Sequence, residues 1–244
     1  QNVKWVIGNA EKLKLSSLIE TEPEGLVSTP KMQKKPFTIE TPAIDRHHTR
    51  ANLKVQDGCD FYCSFCVIPF ARGPARSREF EDILKEATAL GNAGHQELVI
   101  TGVNIGTYQD RDYQFMDIVK ALEEIDSIKR IRISSIEPTT IPKELIYHMA
   151  KSNKLCRHLH IPIQSGSDPI LKKMARLYTR DEFNTFIQFA YETVPDICIG
   201  TDVIVGFPGE TAPLFEETLD YLRESPIHYM HVFSYSERDY ARSK

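Results

Sequence analysis

Three cysteines within eight residues are the part of this sequence best suited to chemistry. Cys59, Cys63 and Cys66 lie in the stretch DGCDFYCSFCVIPFARGPARSR, residues 57–78, although the 244-residue chain contains only five cysteines. The chain starts QNVKWVIGNAEK, without the charged and apolar pattern of a signal peptide, so we expect a cytoplasmic protein. In that reducing compartment, clustered cysteines indicate a metal or catalytic site more often than disulfides.

The spacing of the thiols fits two kinds of metal site. A structural zinc ion prefers four protein ligands, and His47 or His48 is near enough in sequence to supply the fourth. An iron–sulfur cubane normally has four thiolate ligands, so three cysteines would leave one iron open to a substrate or cofactor. Tyr62 and Phe65, between the cysteines, would shield such a cluster from water. Three buried cysteines that act only as small apolar groups are the remaining alternative.

The elements that position this loop alternate between strands and helices. Six β-branched runs predict strands at residues 53–57, 97–101, 130–134, 158–163, 197–205 and 229–235. Amphipathic helices are predicted between them, at residues 79–93, 114–125, 142–151, 181–194 and 212–224. Strands separated by helices pair in parallel through right-handed crossovers. The sequence therefore predicts an α/β fold, a partial TIM-like (β/α)6 barrel, with the cysteine loop at the mouth formed by the strand ends.

Composition and charge narrow the class of protein. The chain is 41% hydrophobic and 26% charged, which is ordinary for a globular protein, and it has no apolar run long enough to span a bilayer. We therefore expect no membrane association. Its net charge of −4 means that nucleic-acid binding would need a local basic patch or another domain.

Several longer motifs resemble one enzyme family. The C-x3-C-x2-C loop is similar to that of the radical S-adenosylmethionine (SAM) enzymes. The resemblance extends to the radical SAM methylthiotransferases over nearly all of residues 46–238, through ELVITGVNIGTY, HLHIPIQSGSDPILKKMARLYTR, IGTDVIVGFPGET and HVFSYSER. It implies a barrel of the radical SAM type in which Cys59, Cys63 and Cys66 hold a [4Fe–4S] cluster. SAM would bind the open iron and be cleaved by one electron to a 5′-deoxyadenosyl radical.

Residues at and after the predicted strand ends would bind SAM if the resemblance holds. The predicted SAM-binding residues are Phe65, Gly102, Asn104, Ser135, Gln164, Arg176, Val205 and Phe233. Gly102 is equally compatible with a turn and Ser135 with a loop start, whereas a solvated helix end is the less favoured interpretation of Arg176. Val205 is expected to line the adenine, and for Phe233 we expect core packing ahead of contact with adenine. No side chain is assigned a catalytic role.

Basic residues just after the cysteine loop are candidates for contacts with RNA. Arg72, Arg76 and Arg78 have few acidic neighbours before Glu79, and phosphate contacts of this kind position an RNA without reading its sequence. A solvated charged loop is an equally good interpretation.

Two histidines and two cysteines outside the loop are expected to be structural. His158 and His160 alternate along a predicted strand, where packing or hydrogen bonding is more common than metal ligation. Cys156 and Cys198 are isolated in sequence and are expected to be buried thiols.

Three branches of the methylthiotransferases act on different targets. These are isopentenyladenosine in tRNA, threonylcarbamoyladenosine in tRNA, and an aspartate of a ribosomal protein. TGVNIGTY, RIRISSIEPTTIP and HVFSYSER most resemble the threonylcarbamoyladenosine branch. The resemblance therefore implies insertion of a methylthio group at C2 of N6-threonylcarbamoyladenosine, next to the anticodon at position 37 of tRNA. Its partners would be tRNA and a reductase or flavodoxin-like electron donor, and we expect a monomer.

The family also has an N-terminal domain with a second [4Fe–4S] cluster and a C-terminal RNA-binding domain. We expect residues 1–45 to be the end of such an N-terminal domain with a linker, and residues 46–244 to be the barrel. This stretch should then bind and cleave SAM without completing methylthiolation. FSYSERDYA departs from the family pattern after the last strand. A radical SAM enzyme of another reaction type and a non-catalytic zinc-stabilised module are the alternatives.

Overall fold

Six parallel strands form the framework of the computed structural model, which describes residues 2–40, 44–45 and 47–243. They are β1 (Arg50–Lys54), β2 (Glu97–Thr101), β3 (Arg130–Ile133), β4 (His158–His160), β5 (Cys198–Val205) and β6 (Tyr229–Ser234). Strands β1, β2 and β3 pair in that order, and so do β4, β5 and β6. Parallel bridges from Ile131 to Leu155 and from Ser135 to His160 connect β3 with β4. The predicted α/β class and partial (β/α)6 barrel are therefore confirmed.

Helices connect the strands and cover the outer face of the sheet. They are α1 (Leu15–Thr21), α2 (Ile68–Arg72), α3 (Phe80–Asn92), α4 (Phe115–Glu123), α5 (Lys143–Lys151), α6 (Asp168–Lys173), α7 (Arg180–Thr193) and α8 (Ala212–Glu224), with 3-10 turns at Lys12–Lys14, Ile105–Thr107 and Pro138–Thr140. Helix α7 starts with a capping box in which Thr179 and Glu182 bond each other's backbone amides. Among the described helices, none is long and apolar enough to cross a membrane.

The core lies between the strands and these helices. Side chains alternate along a strand, and the outward-facing residues Leu53, Ile100 and Ile133 are completely buried. Helix α3 places Ile83 and Leu90 against them. The opposite, inner face of the sheet is polar. There Glu97 accepts ion pairs from Arg50, Arg130 and Arg132 at 3.0–3.1 Å.

Strands β1 and β4 have boundaries that differ from the prediction. Strand β1 begins at Arg50, three residues before the apolar run that predicted it, because its inward residues are polar. It ends at Lys54, and Gln56–Asp57 instead pairs antiparallel with Arg76–Ser77. Strand β4 ends at His160, before Pro162, which has no amide proton for a ladder. A second short hairpin joins Gln109–Asp110 to Tyr113–Gln114.

Residues 2–40 pack beside the barrel mouth. Val6–Ile7 and Val27–Ser28 form a parallel pair joined through α1. Further along, Phe37 is 9% exposed and bridges to Arg78 beside the short hairpin. Arg46, where the sequence places the start of the barrel, and Lys244, its last residue, lie outside the described residues. The division into two domains stays a prediction.

Candidate active site

The cysteine loop is held at the mouth of the barrel by a tight hairpin. Gly58 has φ +74°, and a Cβ atom there would lie 2.0 Å from the carbonyl oxygen of Pro74, so only glycine allows the two chain segments to approach. The amide of Cys59 donates to the carbonyl of Gly73 at 3.2 Å, and the amide of Cys66 to that of Cys63 at 3.0 Å. These backbone contacts fix the three thiols on one compact loop.

A cavity of about 210 Å³ lies between this loop and the ends of the neighbouring strands. Its walls include all three cysteines and five of the eight predicted SAM-binding residues, namely Phe65, Asn104, Ser135, Gln164 and Arg176. Glu137 and Pro162 also line the cavity, whereas the alternative zinc ligands His47 and His48 do not. Gln164 has φ +72°, and its backbone stays bonded to β5 through Asp202 and Ile204.

The other three predicted SAM-binding residues do not line the cavity. Gly102 lies against Gln56 and Ile105, where a Cβ atom would come within 2.7 Å of the Ile105 side chain. Val205 is half-buried against the core. Phe233 is 52% exposed, so the core packing that the sequence predicted for it is wrong. Strand β6 pairs with β5 alone among the described strands, which leaves the side chains of β6 uncovered.

Arg176 is the charged group that faces the thiols. Its Nη1 donates to Sγ of Cys63 at 3.1 Å, and its Nη2 contacts both carboxylate oxygens of Glu137 at 2.6 and 2.7 Å. The side chain is 4% exposed, so its interpretation as a solvated helix end is wrong. Burial raises the pKa of Glu137, although Arg176 opposes that rise. The pair places a fixed guanidinium in the cavity wall.

The thiols themselves fit a metal cluster. Cys59, Cys63 and Cys66 are unpaired and partly buried. Burial raises the pKa of Cys59 and of Cys66, so these thiols hold their protons until a metal displaces them. Apart from the thiols and the Arg176–Glu137 pair, the cavity wall combines neutral amide and hydroxyl groups with apolar side chains. Three thiols, together with neutral hydrogen-bonding groups, suit an iron–sulfur cluster with one open iron and a polar organic ligand.

Gln56 connects the cysteine loop to the second strand, and no local pattern in the sequence predicts this role. It is completely buried. Its Oε1 accepts the amide protons of Val103 and Asn104 at 2.9 Å, and its Nε2 donates to the carbonyl of Gly58 at 2.8 Å. One amide side chain thus fixes Asn104 relative to the cysteine loop.

Asp57 lies at the base of the same loop, and the sequence analysis did not predict its role there. Its carboxylate is 0% exposed and accepts bonds from the four cationic side chains of Lys12, Lys54, Arg72 and Arg76. Burial opposes its ionisation, but these donors outweigh burial and hold the pKa of Asp57 far below its ordinary value. Lys12 belongs to the N-terminal segment, so this carboxylate joins three parts of the chain.

The three arginines predicted to contact RNA differ in accessibility. Arg72 is 34% exposed and Arg76 only 10%, and both bond Asp57. Arg78 is completely buried, where Nε bonds Asp82 at 2.6 Å and Nη1 bonds Glu86. The predicted contact of Arg78 with RNA is therefore wrong, because this side chain is not exposed to solvent.

Replacing Arg78 with methionine should lower the free energy of unfolding by about 3 kcal/mol. The change leaves two largely buried carboxylates without their cation. Urea unfolding followed by circular dichroism would measure the loss. Arg223→Met is the matched control, because Arg223 pairs with Asp220 at 3.4 Å on the surface and should cost less than about 1 kcal/mol. Equal effects of the two substitutions would contradict a structural role for Arg78.

Comparison with known families decides what kind of site this is. The model of the Radical SAM superfamily matches residues 53–222, which include the cysteine loop, the end of β1 and all of β2 to β5. The chain belongs to the radical SAM superfamily. The cofactors of this radical SAM chain are accordingly a [4Fe–4S] cluster and SAM, and the cavity offers the thiols and polar groups that they need.

The curated relatives of this radical SAM chain carry the names of tRNA-modifying enzymes. The chain is 41% identical to threonylcarbamoyladenosine tRNA methylthiotransferase of Bacillus subtilis over 97% of its own length and 54% of the relative. It is 38% identical to tRNA-2-methylthio-N(6)-dimethylallyladenosine synthase of Alkaliphilus oremlandii over 81% of the chain and 43% of the relative. The chain thus spans about half the length of these relatives.

Solved structures agree on the fold. The radical SAM methyltransferase TsrM from Kitasatospora setae, with tryptophan and a SAM analogue bound, superimposes with a TM-score of 0.70 at 15% identity, over 93% of this chain and 50% of TsrM. Methylornithine synthase superimposes with a TM-score of 0.57 at 15% identity, over 79% of this chain and 55% of the synthase. At these identities the likeness supports the radical SAM type of partial barrel, and nothing about substrate.

Proposed function

We propose that this chain is the radical SAM domain of a tRNA methylthiotransferase that acts on N6-threonylcarbamoyladenosine beside the anticodon. The observation that carries the proposal is the 41% identity to a threonylcarbamoyladenosine tRNA methylthiotransferase over 97% of the chain. The three-thiol cavity at the strand ends supports it, because three candidate cluster ligands lie there beside groups that can hydrogen-bond SAM.

Within this proposal the chain holds and orients the cofactors. Cys59, Cys63 and Cys66 ligate the cluster, which with SAM supplies one electron and a 5′-deoxyadenosyl radical when both are bound. Asn104, Ser135 and Gln164 offer neutral hydrogen bonds to SAM, and Phe65 shields the thiols from water.

Arg176 is the proposed partner for the SAM carboxylate. Its planar fork already bonds Glu137, so the guanidinium is fixed before SAM arrives. A carboxylate that binds there shares the fork with Glu137. The aminoacyl end of SAM is therefore directed toward the cysteine loop, where Arg176 also touches Cys63.

The tRNA is the proposed substrate because a base beside the anticodon lies in a loop. Such a base can be presented to a pocket without breaking a duplex. Arg72, the most exposed of the three arginines near the cavity, is a proposed phosphate contact together with Arg76. The second cluster, most of the RNA affinity and the electron donor would come from elsewhere in the protein and the cell.

A second candidate substrate is isopentenyladenosine in tRNA. The 38% identity to a tRNA-2-methylthio-N(6)-dimethylallyladenosine synthase favours it. The two nucleosides differ at N6, where one carries a threonyl carboxylate and the other an apolar chain. A site built to bond polar groups rejects an analogue that lacks them, because its own groups are left unpaired.

The test uses the full-length protein, reconstituted anaerobically, with anticodon stem-loops that carry either nucleoside. With SAM and a reductant, we expect the 2-methylthio product from the threonylcarbamoyl substrate at a rate at least about a hundredfold higher than from the isopentenyl substrate. Nucleoside mass spectrometry would measure both products. Preference for the isopentenyl substrate would replace the first assignment with the second, and no product from either would overturn tRNA methylthiolation.

A further inference from the structure

Three metal-ligating side chains meet on the inner face of the barrel, away from the cysteine loop. His160 Nε2 lies 3.0 Å from Oδ1 of Asp202, and His231 Nδ1 lies 3.2 Å from the same oxygen. One ligand atom from each residue lies within 4.8 Å of the other two. The two imidazole rings are 5.3 Å apart and inclined by 30°. Two imidazoles and a carboxylate are a common ligand set for divalent transition metals.

The register of the sheet fixes this cluster. His160 belongs to β4, Asp202 to β5 and His231 to β6, and Asp202 pairs directly with His231. His160 pairs with Gly200, two residues before Asp202 on the same face. Groups carried by three adjacent strands keep their spacing better than groups on loops. The three donors are therefore held together by the backbone.

A hydrogen-bonded chain behind His160 can set the tautomer that a metal requires. Tyr229 Oη lies 2.8 Å from Nε2 of His158 and 3.2 Å from Nδ1 of His160. Without a metal, Nε2 of His160 donates to Asp202. In the tautomer that binds a metal, Nδ1 of His160 donates to Tyr229, Tyr229 donates to Nε2 of His158, and Nε2 of His160 presents its lone pair to the metal. Metal-bound histidines are typically oriented through their second nitrogen in this manner.

The carboxylate and the third ligand complete the arrangement. Oδ1 of Asp202 lies within 3.2 Å of one nitrogen of each imidazole, so a single carboxylate faces both rings. His160 is 8% exposed at its side chain and Asp202 23%, whereas His231 is 58% exposed. One side of the cluster is closed by protein, and the side near His231 is open.

We propose that His160, Asp202 and His231 form a binding site for one divalent transition metal ion such as zinc, separate from the cysteine loop. The three protein ligands leave at least one coordination position for water or a ligand oxygen. Pro162 and Gln164 line the cysteine-loop cavity two and four residues beyond His160. A strand rises about 3.3 Å per residue, so the proposed metal lies roughly 7–13 Å deeper in the barrel than Pro162 and Gln164.

Zinc titration of the cluster-loaded chain tests the proposal. Anaerobic reconstitution first occupies the three loop thiols with iron, and Cys156→Ala and Cys198→Ala remove the other two thiols. Zinc is then titrated in competition with a chromogenic chelator. We expect one zinc per chain, an affinity loss of at least about a hundredfold in His231→Ala and in Asp202→Asn, and a loss of about tenfold in Tyr229→Phe.

His148→Ala is the matched control, because it also removes a histidine bonded to a carboxylate. His148 on α5 lies 2.6 Å from Glu123 on α4, in the helical layer outside the sheet. This substitution should leave zinc affinity unchanged. His231 is exposed, so its substitution should keep the fold, which circular dichroism would verify. The proposal is overturned if the loaded chain binds no zinc, or if His231→Ala and Asp202→Asn bind it as tightly as the parent. None of these readouts depends on methylthiolation.

Discussion

Replacing Cys63 with alanine should remove the iron and the SAM-cleaving activity together. The parent chain, after anaerobic reconstitution, should hold about four irons and equivalent acid-labile sulfide, as one cubane requires. With two thiolates left, the cluster loses a ligand whose sulfur also contacts Arg176 at 3.1 Å. Release of 5′-deoxyadenosine with SAM and a strong reductant should fall at least about a thousandfold, because the electron has no other route to SAM.

Cys156→Ala is the control for this experiment, because it removes a buried thiol outside the cavity. It should retain iron and form deoxyadenosine at the parental rate. Tightly held zinc with no deoxyadenosine from the parent chain would contradict the enzyme assignment and leave the structural metal module. Unchanged iron in Cys63→Ala would show that this cysteine is not a ligand.

Replacing Asp57 with asparagine should cause the largest loss of stability of any conservative change at the mouth. Asparagine keeps the shape of the side chain and removes the charge that four cationic groups share. Two of these, Lys12 and Arg76, come from opposite sides of the cysteine loop, and they would repel each other once the carboxylate is lost. Breaking a buried ion pair from one side typically costs about 3–5 kcal/mol.

The pH dependence of unfolding gives this substitution a second readout. The folded pKa of Asp57 lies below its unfolded value, so its contribution to stability is present above about pH 4 and is lost as pH falls. The parent should therefore lose more stability than Asp57→Asn between about pH 6 and pH 3. Urea unfolding at each pH measures both curves. Asp220→Asn, at an exposed pair, is the control and should shift stability by less than about 0.5 kcal/mol. Parallel pH curves for parent and Asp57→Asn would contradict the role of this carboxylate.

Local patterns in the sequence were enough for the fold and for the metal-binding loop. Strand β2 lies at the predicted residues because its outward side chains are apolar and its ends are marked by polar residues. Boundaries were less predictable where a strand faces a polar interior, as at Arg50, because polar residues there look like loop. Four of the five predicted SAM-binding residues in the cavity follow the carboxyl end of a strand or belong to the cysteine loop, and the fifth, Arg176, follows α6.

Partners of charged residues were not predictable, because they depend on contacts between distant parts of the chain. ARGPARSR reads as one basic stretch, yet Arg72 reaches an exposed edge while Arg78 is buried against α3. Arg72 ends α2, whereas Arg78 follows the short hairpin and meets Asp82 and Glu86 of α3. No local pattern reports which arginine meets a carboxylate.

The sequence by itself determined the class of chemistry and the class of fold. Three closely spaced thiols and a βα alternation are local features, and both follow from residues near one another in the chain. Only the tertiary structure decided that Arg176 bonds Glu137, that Asp57 gathers four cations, and that His160 and His231 share one carboxylate. These contacts join residues up to 45 positions apart, as in Lys12 and Asp57. Strand register brings His160, Asp202 and His231 together, and that register is fixed only when the core packs.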